Sequence, residues 1–234
     1  MALPVLDIRL STIASLVEPT ECVADVGCDH GYLSAFLLLH HLTSHIYATD
    51  LHTAPLQRAA ATFERYGLLQ NTVLLQCDGL TDVPPTVQTI IIAGMGGETI
   101  SSILQNASWI KHKNKILVLQ PMSREEHLRR WLYEQGFAIV EEKKVVDGAY
   151  CYVVFKVRFT GNKVWLSDLE SVIGRLNLPE SPEDFVYIQR KIQKYKAIIR
   201  GRLSAHLGSF AVQKEQELVK RLEALLNLED KNDS

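Results

Sequence analysis

The sequence predicts an α/β fold: a mostly parallel sheet of seven strands with helices on both faces, followed by a C-terminal α-helical, coiled-coil-like extension. Short apolar segments rich in β-forming residues alternate with helical segments through the first 160 residues. The last two strand segments flank Asp147 and Gly148, a hairpin signal that adds an antiparallel pair to the sheet. Strand signals cease after about Gly161, and only helical periodicity follows.

Five short apolar segments predict the parallel strands. Each has five residues and is rich in aliphatic or β-branched side chains. Helical segments separate them, except between the third and the fourth, where Pro84 and Pro85 mark a loop. That alternation predicts strands that are covered on both faces. The five segments are CVADV, HIYAT, TVLLQ, TIIIA and KILVL, at residues 22–26, 45–49, 72–76, 89–93 and 115–119. Residues 137–146 and 150–159 are the two strands of the hairpin.

Helical periodicity and stop signals predict the helices around these strands. In the first helix, Leu6, Leu10 and Ile13 share one face, and Pro19 follows as a stop signal. Gly67 and Gly136 suit the C-terminal ends of the third and fifth helices. The five predicted helices are residues 6–17, 32–41, 55–66, 98–105 and 124–135.

The tail has the apolar pattern of an antiparallel helix pair. Apolar residues recur at three- and four-residue spacings in 184–207 and 213–228, and the two segments are broken near Gly208. We therefore predict two domains, an α/β domain at 1–160 and a helical extension at 161–234.

The composition is that of an ordinary globular protein. The 234 residues are 47% hydrophobic and 22% charged with a net charge of −2, so the average charge indicates no nucleic-acid partner. The four cysteines form no C-x-x-C pair, and no histidine cluster accompanies them at zinc spacing. No apolar run reaches the roughly 18 residues of a membrane helix, and no signal-peptide core is present. We expect a cytoplasmic protein with no metal and no membrane contact, and we expect a monomer.

The turn after the first strand has the sequence DVGCDHG and argues against a dinucleotide site. It lacks the middle glycine of G-x-G-x-x-G, which lets a pyrophosphate approach the backbone. Asp29 in that turn would repel a pyrophosphate, whereas S-adenosylmethionine has a cationic sulfonium and no phosphate. Asp29 therefore favours a cationic cofactor over NAD.

Two further acids follow the next two strands. Asp50 is placed to accept both ribose hydroxyls, and Asp78 with Gly79 is placed to bind the adenine amino group. Each acid alone could be a turn residue. Acids at three successive strand ends, together with the strand count and the final hairpin, fit a Rossmann-like class I methyltransferase sheet.

The fourth strand ends in AGMGG. Three glycines permit close backbone approach and expose N–H groups at a helix start, although a tight turn without a ligand is the alternative. The segment lacks the Asn or Asp followed by prolines that is common in methyltransferases acting on amino groups of nucleic acids.

Four segments together resemble the bacterial tRNA (adenine-22-N1)-methyltransferase family. They are ADVGCDHGYL, IIIAGMGGETI, LVLQPM with LRRWLYEQGF, and LDIRLSTIASLV, within roughly residues 6–159. The resemblance implies S-adenosylmethionine as donor and methylation of N1 of adenine 22 in tRNA. The family has Asn after LQP, where this chain has Met122. We assign to the cofactor site Asp25, Gly27, Cys28, Gly31, Asp50, Leu51, Asp78, Gly79, Ala93 and Gly94.

The resemblance also implies a set of residues that face the target base, namely Gly94, Gly96, Gln120 and Pro121. Adenine N1 can attack a methyl group directly, so catalysis requires alignment and negative charge near the developing cation. Asp29 could supply that charge, or His30 could accept a proton. As alternatives, Asp29 caps the following helix and Tyr32 is buried rather than stacked on a base.

A basic segment of the tail predicts contact with the tRNA backbone. Residues 185–214 contain no Asp or Glu, and a helix face of one sign attracts phosphates. The alternative is a helix pair that only packs or dimerises. We assign RNA contacts to Arg9, Arg190, Lys191, Lys194, Lys196, Arg200 and Arg202. Methylation of a protein or small molecule, and a non-catalytic RNA-binding module, are the alternative functions.

Overall fold

A computed structural model describes residues 4–174, 181–204 and 212–227. The chain divides into two compact units. The first comprises Met1–Asp147 and Tyr152–Trp165, and the second comprises Gly148–Cys151 and Leu166–Ser234. The predicted boundary at residues 160 and 161 lies close to this division.

The first unit contains the predicted sheet, so the α/β prediction is confirmed. The sheet has seven strands in the order β3-β2-β1-β4-β5-β7-β6, parallel from β3 through β5, with β7 antiparallel to β5. The strands are β1 (Thr20–Val26), β2 (Thr43–Asp50), β3 (Thr72–Gln76), β4 (Thr89–Gly96), β5 (Ile116–Ser123), β6 (Phe137–Asp147) and β7 (Tyr150–Phe159).

Helices follow β1, β2, β4 and β5, and a loop joins β3 to β4, as predicted. Gly67 ends the third helix in a left-handed conformation with φ 70°, as its C-cap position requires. The helices are α1 (Ile8–Ser15), α2 (Tyr32–Leu39), α3 (Thr53–Tyr66), α4 (Gly97–Gln105) and α5 (Glu125–Glu134), with short 3₁₀ helices at Leu69–Asn71 and Ser108–Ile110.

The register of the sheet brings the carboxyl ends of the central strands level. Val26 of β1 is paired with Thr49 of β2 on one side and with Ile92 of β4 on the other. Thr49 in turn is paired with Leu75 of β3. The loops that follow these four strands therefore emerge along one edge, where ligands bind in parallel α/β sheets.

Two strands, β4 and β5, extend several residues beyond their predicted carboxyl ends. β4 continues through the glycines to Gly96 because its backbone keeps pairing with β5, with register shifts around Met95. β5 correspondingly continues through Pro121 to Ser123. The AGMGG segment is thus an irregular strand extension that ends where α4 begins.

The core of the first unit is apolar and contains a buried ion pair. Arg129 of α5 is fully buried, and its Nη2 lies 2.6 Å from Oε1 of Glu142 on β6. The guanidinium also lies over the ring of Phe155, 4.9 Å from its centroid. Lys144 Nζ lies 3.6 Å from the same Glu142 oxygen, so removing Arg129 would weaken the charge compensation of this buried carboxylate.

The second unit is helical: α6 (Asp168–Ile173), α7 (Pro182–Ser204) and α8 (Gln213–Leu226). α6 was not predicted, although Ser167 and Glu170 form a capping box whose S-x-x-E spacing is visible in the sequence. Lys196 pairs with Glu223 and Arg202 with Glu215, so α7 and α8 run antiparallel, as predicted. The predicted break near Gly208 lies outside the described residues.

Candidate active site

A cavity of about 250 Å³ lies in the first unit at the carboxyl ends of β1 and β4. Its lining contains most of the predicted residues of the first turn and the fourth strand end. The lining residues are Arg9, Leu10, Asp25, Gly27, Cys28, Asp29, His30, Tyr32, Leu33, Ala93 and Gly94.

The glycine turn after β1 is folded tightly by its neighbours. Gly27 has φ 74°, and a Cβ on it would collide with Cε of Met95. The N–H groups of Gly27 and Cys28 both donate to the Thr49 carbonyl, at 2.8 and 3.0 Å, which ties the turn to β2. A Cβ on Gly31, at φ 69°, would lie 3.0 Å from the Phe63 ring. At Gly31 both backbone conformation and space favour glycine, whereas at Gly27 the positive φ is the main reason, because the Met95 methyl group can move.

Asp25 is a buried carboxyl at the base of the cavity. It is 4% exposed, and its Oδ2 accepts a hydrogen bond of 2.6 Å from the Ser34 hydroxyl. Burial raises its pKa to about 6, and the Ser34 hydrogen bond opposes that rise. Burial, and then the charge of Asp25, raise the pKa of the Cys28 thiol, so this cysteine is a protonated wall residue.

Asp29 does not cap α2, which excludes the helix-cap alternative. It has a left-handed backbone with φ 48°, and the N-cap position belongs to Gly31, without a side-chain hydrogen bond. Its Oδ1 instead accepts from Nη2 of Arg58 at 2.7 Å, and His30 Nε2 lies 3.9 Å from the same oxygen. The left-handed turn carries the carboxylate away from the helix start and toward α3.

Tyr32 is 44% exposed, so the buried alternative for this residue is also excluded. Its ring is parallel to that of His30, within 2°, with the centroids 5.5 Å apart. Both rings line the cavity and present an aromatic surface at its mouth.

Asp50 and Asp78 lie outside the cavity lining, next to it along the sheet edge. Asp50 Oδ1 accepts from the His52 N–H at 3.0 Å, and Leu51 is exposed. Asp78 lines a separate hollow of about 60 Å³ with Ser102. The strand order β3-β2-β1 places Asp78, Asp50 and the glycine turn in a row that leads to the cavity.

The loop after β3 is held to β2 through Gly79. The Thr49 hydroxyl donates to the Gly79 carbonyl at 3.3 Å. A Cβ on Gly79, at φ 58°, would lie 2.7 Å from the Ile103 side chain. Glycine is therefore required here as well, by space and by conformation.

Gln120 and Pro121 are buried, so their side chains are not exposed toward a base as the resemblance implied. Gln120 Oε1 accepts from Nη1 of Arg9 at 2.9 Å and from the Gly94 N–H at 3.1 Å. Its Nε2 donates to the Pro121 carbonyl at 2.9 Å. Gln120 thus positions Arg9 and the AGMGG backbone. Gly94 itself is exposed, with φ 77°.

Three residues near this strand end have positions that the sequence did not indicate. Arg9 was assigned to RNA but lines the cavity. Met95 lies against the Gly27 turn, and its position within AGMGG could have indicated that it lies near the site. Met122, which replaces the family Asn, is 49% exposed and its sulfur lies 3.5 Å from Gln120 Nε2.

The basic residues of the tail differ in exposure. Lys191 is 5% exposed, and burial lowers its pKa to about 6, so a neutral, enclosed amine replaces the predicted phosphate contact. Arg190 donates to the Gly148 and Ala149 carbonyls. Four of the predicted RNA residues are exposed on α7: Lys194, Lys196, Arg200 and Arg202.

Two negative observations apply to residues 4–174, 181–204 and 212–227. No helix there combines the length and the apolar character that a bilayer crossing requires. In the same ranges no group of three or more His, Cys, Asp or Glu side chains is arranged to hold a metal ion.

The fold and the site define a methyltransferase domain. Residues 6–155 match the family model described as a methyltransferase domain, and the chain belongs to this family. A tRNA (adenine(22)-N(1))-methyltransferase of Bacillus subtilis (strain 168) is 33% identical over 147 residues, 62% of either chain. The match therefore spans less than two thirds of that relative's length.

Two further comparisons agree with this assignment. A Mycoplasma pneumoniae protein assigned as a tRNA methyltransferase is 31% identical over 175 residues, 71% of this chain and 78% of its own. Sp1610 of Streptococcus pneumoniae, assigned as a tRNA (m1A22) methyltransferase and solved with S-adenosyl-L-methionine, superposes with a TM-score of 0.81 at 28% identity. That match covers 93% of this chain and 99% of Sp1610. The predicted resemblance to the tRNA (adenine-22-N1)-methyltransferases is confirmed.

Proposed function

We propose that this protein is an S-adenosylmethionine-dependent methyltransferase that modifies N1 of adenine 22 in tRNA. The observation that carries the proposal is the row of acids at one sheet edge, from Asp78 through Asp50 to the cavity beside Gly27. The cavity is open and partly apolar, and it contains two carboxylates, Asp25 and Asp29. A cationic ligand suits such a site, whereas a pyrophosphate does not.

The predicted cofactor residues follow the sheet edge in the same order as the adenine, the ribose and the amino-acid end of S-adenosylmethionine. Asp78 would bind adenine and Asp50 the ribose hydroxyls, since they follow β3 and β2. The amino-acid end and the sulfonium would then occupy the cavity at β1 and β4. Gly27 has no side chain and a left-handed backbone with φ 74°, so its backbone can lie directly against the donor. When bound, the donor supplies an electrophilic methyl group.

The chain's own residues would align the adenine. Gln120 fixes the Gly94 N–H, and the exposed Gly94 leaves space for a base above the end of β4. His30 and Tyr32 offer flat surfaces at the cavity mouth. Asp29 forms a salt bridge of 2.7 Å with Arg58, which fixes the position of the carboxylate and partly neutralises its charge. We assign Asp29 and His30 to stabilising the positive charge that develops on the methylated ring and accepting its proton.

The helical unit would supply a second contact to the tRNA backbone. Lys196 and Arg202 pair with Glu223 and Glu215 of α8, which reduces the positive charge that the α7 sequence alone indicates. Lys194 and Arg200 are exposed on the same helix, and we use them to test the proposed contact. Folded tRNA is recognised largely through shape and backbone, which suits an exposed helix of this kind.

Variants of these two residues test the contact. Replacing Lys194 and Arg200 by Gln should weaken tRNA binding and reduce its salt dependence while leaving cofactor affinity unchanged. The matched control replaces the exposed Lys220 and Arg221 of α8 by Gln. Equal tRNA affinity of both double variants and the wild type would remove the helical unit from the substrate contact.

The activity is tested with methyl-labelled S-adenosylmethionine and an unmodified tRNA transcript. We expect label in 1-methyladenosine at position 22, identified by nuclease mapping and mass spectrometry. A transcript with G at position 22 is the matched control and should take up no label. Label on another nucleoside, or transfer only to a protein or small molecule, would refute the proposal. A cytoplasmic monomer stays our prediction for location and assembly.

A further inference from the structure

Methylation at N1 requires the target adenine to leave its helix. N1 lies on the edge of adenine that pairs with uracil, so a stacked and paired adenine does not expose this atom. Enzymes that act on such a base extrude the nucleotide, and the loss of stacking and pairing opposes the extrusion. A side chain that fills the vacated position in the stack would favour the extruded state.

Met122 is an exposed apolar side chain at the end of the strand that lies beside the base position. It follows Pro121 on β5 and is 49% exposed. β5 pairs with β4 here, with Met95 opposite Pro121 and Gly96 opposite Ser123. Met122 therefore lies next to the strand end above which we place the adenine.

The neighbouring strand leaves the space beside Met122 open. Gly94 and Gly96 have no side chains, and the Met95 side chain lies against the Gly27 turn. Among the described residues, and its chain neighbours excepted, the atom nearest to a Cβ on Gly94 would be Nη1 of Arg9 at 4.0 Å. The glycines thus leave room for a nucleotide beside the thioether.

The position of Met122 is fixed by its backbone and by a buried amide. Pro121 precedes it with a restricted φ, and Arg124 two residues later has a left-handed backbone with φ 57°. Nε2 of the fully buried Gln120 lies 3.5 Å from the Met122 sulfur, a weak hydrogen bond. The thioether is therefore oriented at the surface, while its unbranched chain can still adapt to a neighbour.

We infer that Met122 is a wedge that inserts into the tRNA helix in place of adenine 22 and holds the base in the extruded position. Proteins that distort nucleic acids insert apolar side chains, Met among them, between base steps. A thioether also makes favourable contacts with aromatic rings, and its burial between bases removes apolar surface from water. The inference rests on the proposed function, because it assumes that N1 of a tRNA adenine is the target.

Direct contact with the extruded adenine is the competing role for Met122. The rings of His30 and Tyr32 line the cavity, and they are placed to contact a base that enters it. Met122 is outside the cavity lining, at the surface beyond the end of β4. Its position therefore favours contact with the bases that stay in the helix.

Two transcripts separate these roles in single-turnover methylation. In one, U faces adenine 22 and pairs with its N1; in the other, C faces it and leaves a mismatch. Met122→Ala should slow methylation of the paired transcript about 10-fold and that of the mismatched transcript by at most about twofold, because a mismatched base is extruded at lower cost.

Two control variants and a binding measurement complete the design. Met122→Leu keeps an apolar side chain of similar volume and should retain most of the rate on both transcripts. Val140→Ala shortens an exposed apolar side chain on β6 and should change neither rate. The affinity for S-adenosylhomocysteine, measured by calorimetry, should be the same in all variants, which reports that each is folded.

Fluorescence measures the extrusion itself. 2-Aminopurine in place of adenine 22 becomes brighter when it leaves the stack. Saturating wild type with S-adenosylhomocysteine should raise the fluorescence of the paired transcript, and Met122→Ala should raise it less. Equal brightness with both proteins would overturn the inference.

The rates have equally defined outcomes. Equal slowing of both transcripts by Met122→Ala would overturn the wedge in favour of direct contact with the adenine. Unchanged rates on both transcripts would remove Met122 from the reaction altogether. Failure of the wild type to methylate adenine 22 in either transcript would refute the proposed function itself, and the inference with it.

Discussion

The buried carboxyl of Asp25 should make the stability of this protein depend on pH in an unusual direction. Its folded-state pKa is raised from 3.8 to about 6 by burial. Folding therefore favours the protonated form, and the resulting stabilisation is complete below the unfolded pKa. It is lost as the pH rises through about 6.

The magnitude follows from the difference between the two pKa values. Relative to the fully protonated state, Asp25 costs the folded protein about 1 kcal/mol at pH 4.5 and about 3 kcal/mol at pH 7.5. Asp25→Asn keeps the shape and can still accept the Ser34 hydrogen bond, but it cannot ionise. The free energy of unfolding of the variant minus that of the wild type should therefore increase by about 2 kcal/mol between these pH values.

Urea unfolding of both proteins at several pH values between 4 and 8 measures this difference. Subtracting the two free energies of unfolding cancels the contributions of titrating groups that the two proteins share. Ser34→Ala serves as a second variant, because loss of its hydroxyl raises the pKa of Asp25 further and should steepen the dependence. A difference between wild type and Asp25→Asn that is constant with pH would show that Asp25 titrates normally and would refute the reasoning.

Three further perturbations have defined outcomes. Lys191→Met should stabilise the helical unit at pH 7 by up to about 5 kcal/mol, because the pKa of Lys191 is lowered in the folded state and its protonation there is costly. This stabilisation should shrink as the pH rises toward 10.5, and hydrogen exchange of α7 measures it. Gly27→Ala should abolish S-adenosylhomocysteine binding in calorimetry, whereas Gly148→Ala, at φ 52° with open space, should not. Arg129→Met should cost up to about 3–5 kcal/mol in urea unfolding, because the buried Glu142 carboxylate loses its 2.6 Å partner and retains the longer contact with Lys144 at 3.6 Å. Adding Glu142→Leu should recover much of this loss.

The strands could be predicted closely because their patterns are local. The ranges of β3 and β7 match the prediction, since apolar runs and turn residues define both ends of each strand. The extension of β4 to Gly96 was missed because it depends on pairing with β5, a contact that glycine-rich sequence does not indicate.

Most cavity-lining residues lie in the two segments that the sequence singled out, but the partners of their side chains could not be predicted. Asp29 precedes a helix, which favours a cap, yet its left-handed backbone directs it to Arg58, 29 residues away. Arg9 and Gln120 are separated by 111 residues, so their hydrogen bond exists only in the folded sheet. The acids that offset the basic tail are on α8, and they meet α7 only because the two helices pack antiparallel.

The most direct test of the central claim is to measure which ligand binds at this edge of the sheet. Titration calorimetry of the wild type with S-adenosylhomocysteine and with NAD, under the same conditions, decides between a sulfonium donor and a dinucleotide. The arrangement of Asp78, Asp50 and the Gly27 turn predicts saturable, one-to-one uptake of S-adenosylhomocysteine and no detectable uptake of NAD. Firm binding of NAD without binding of S-adenosylhomocysteine would contradict the account.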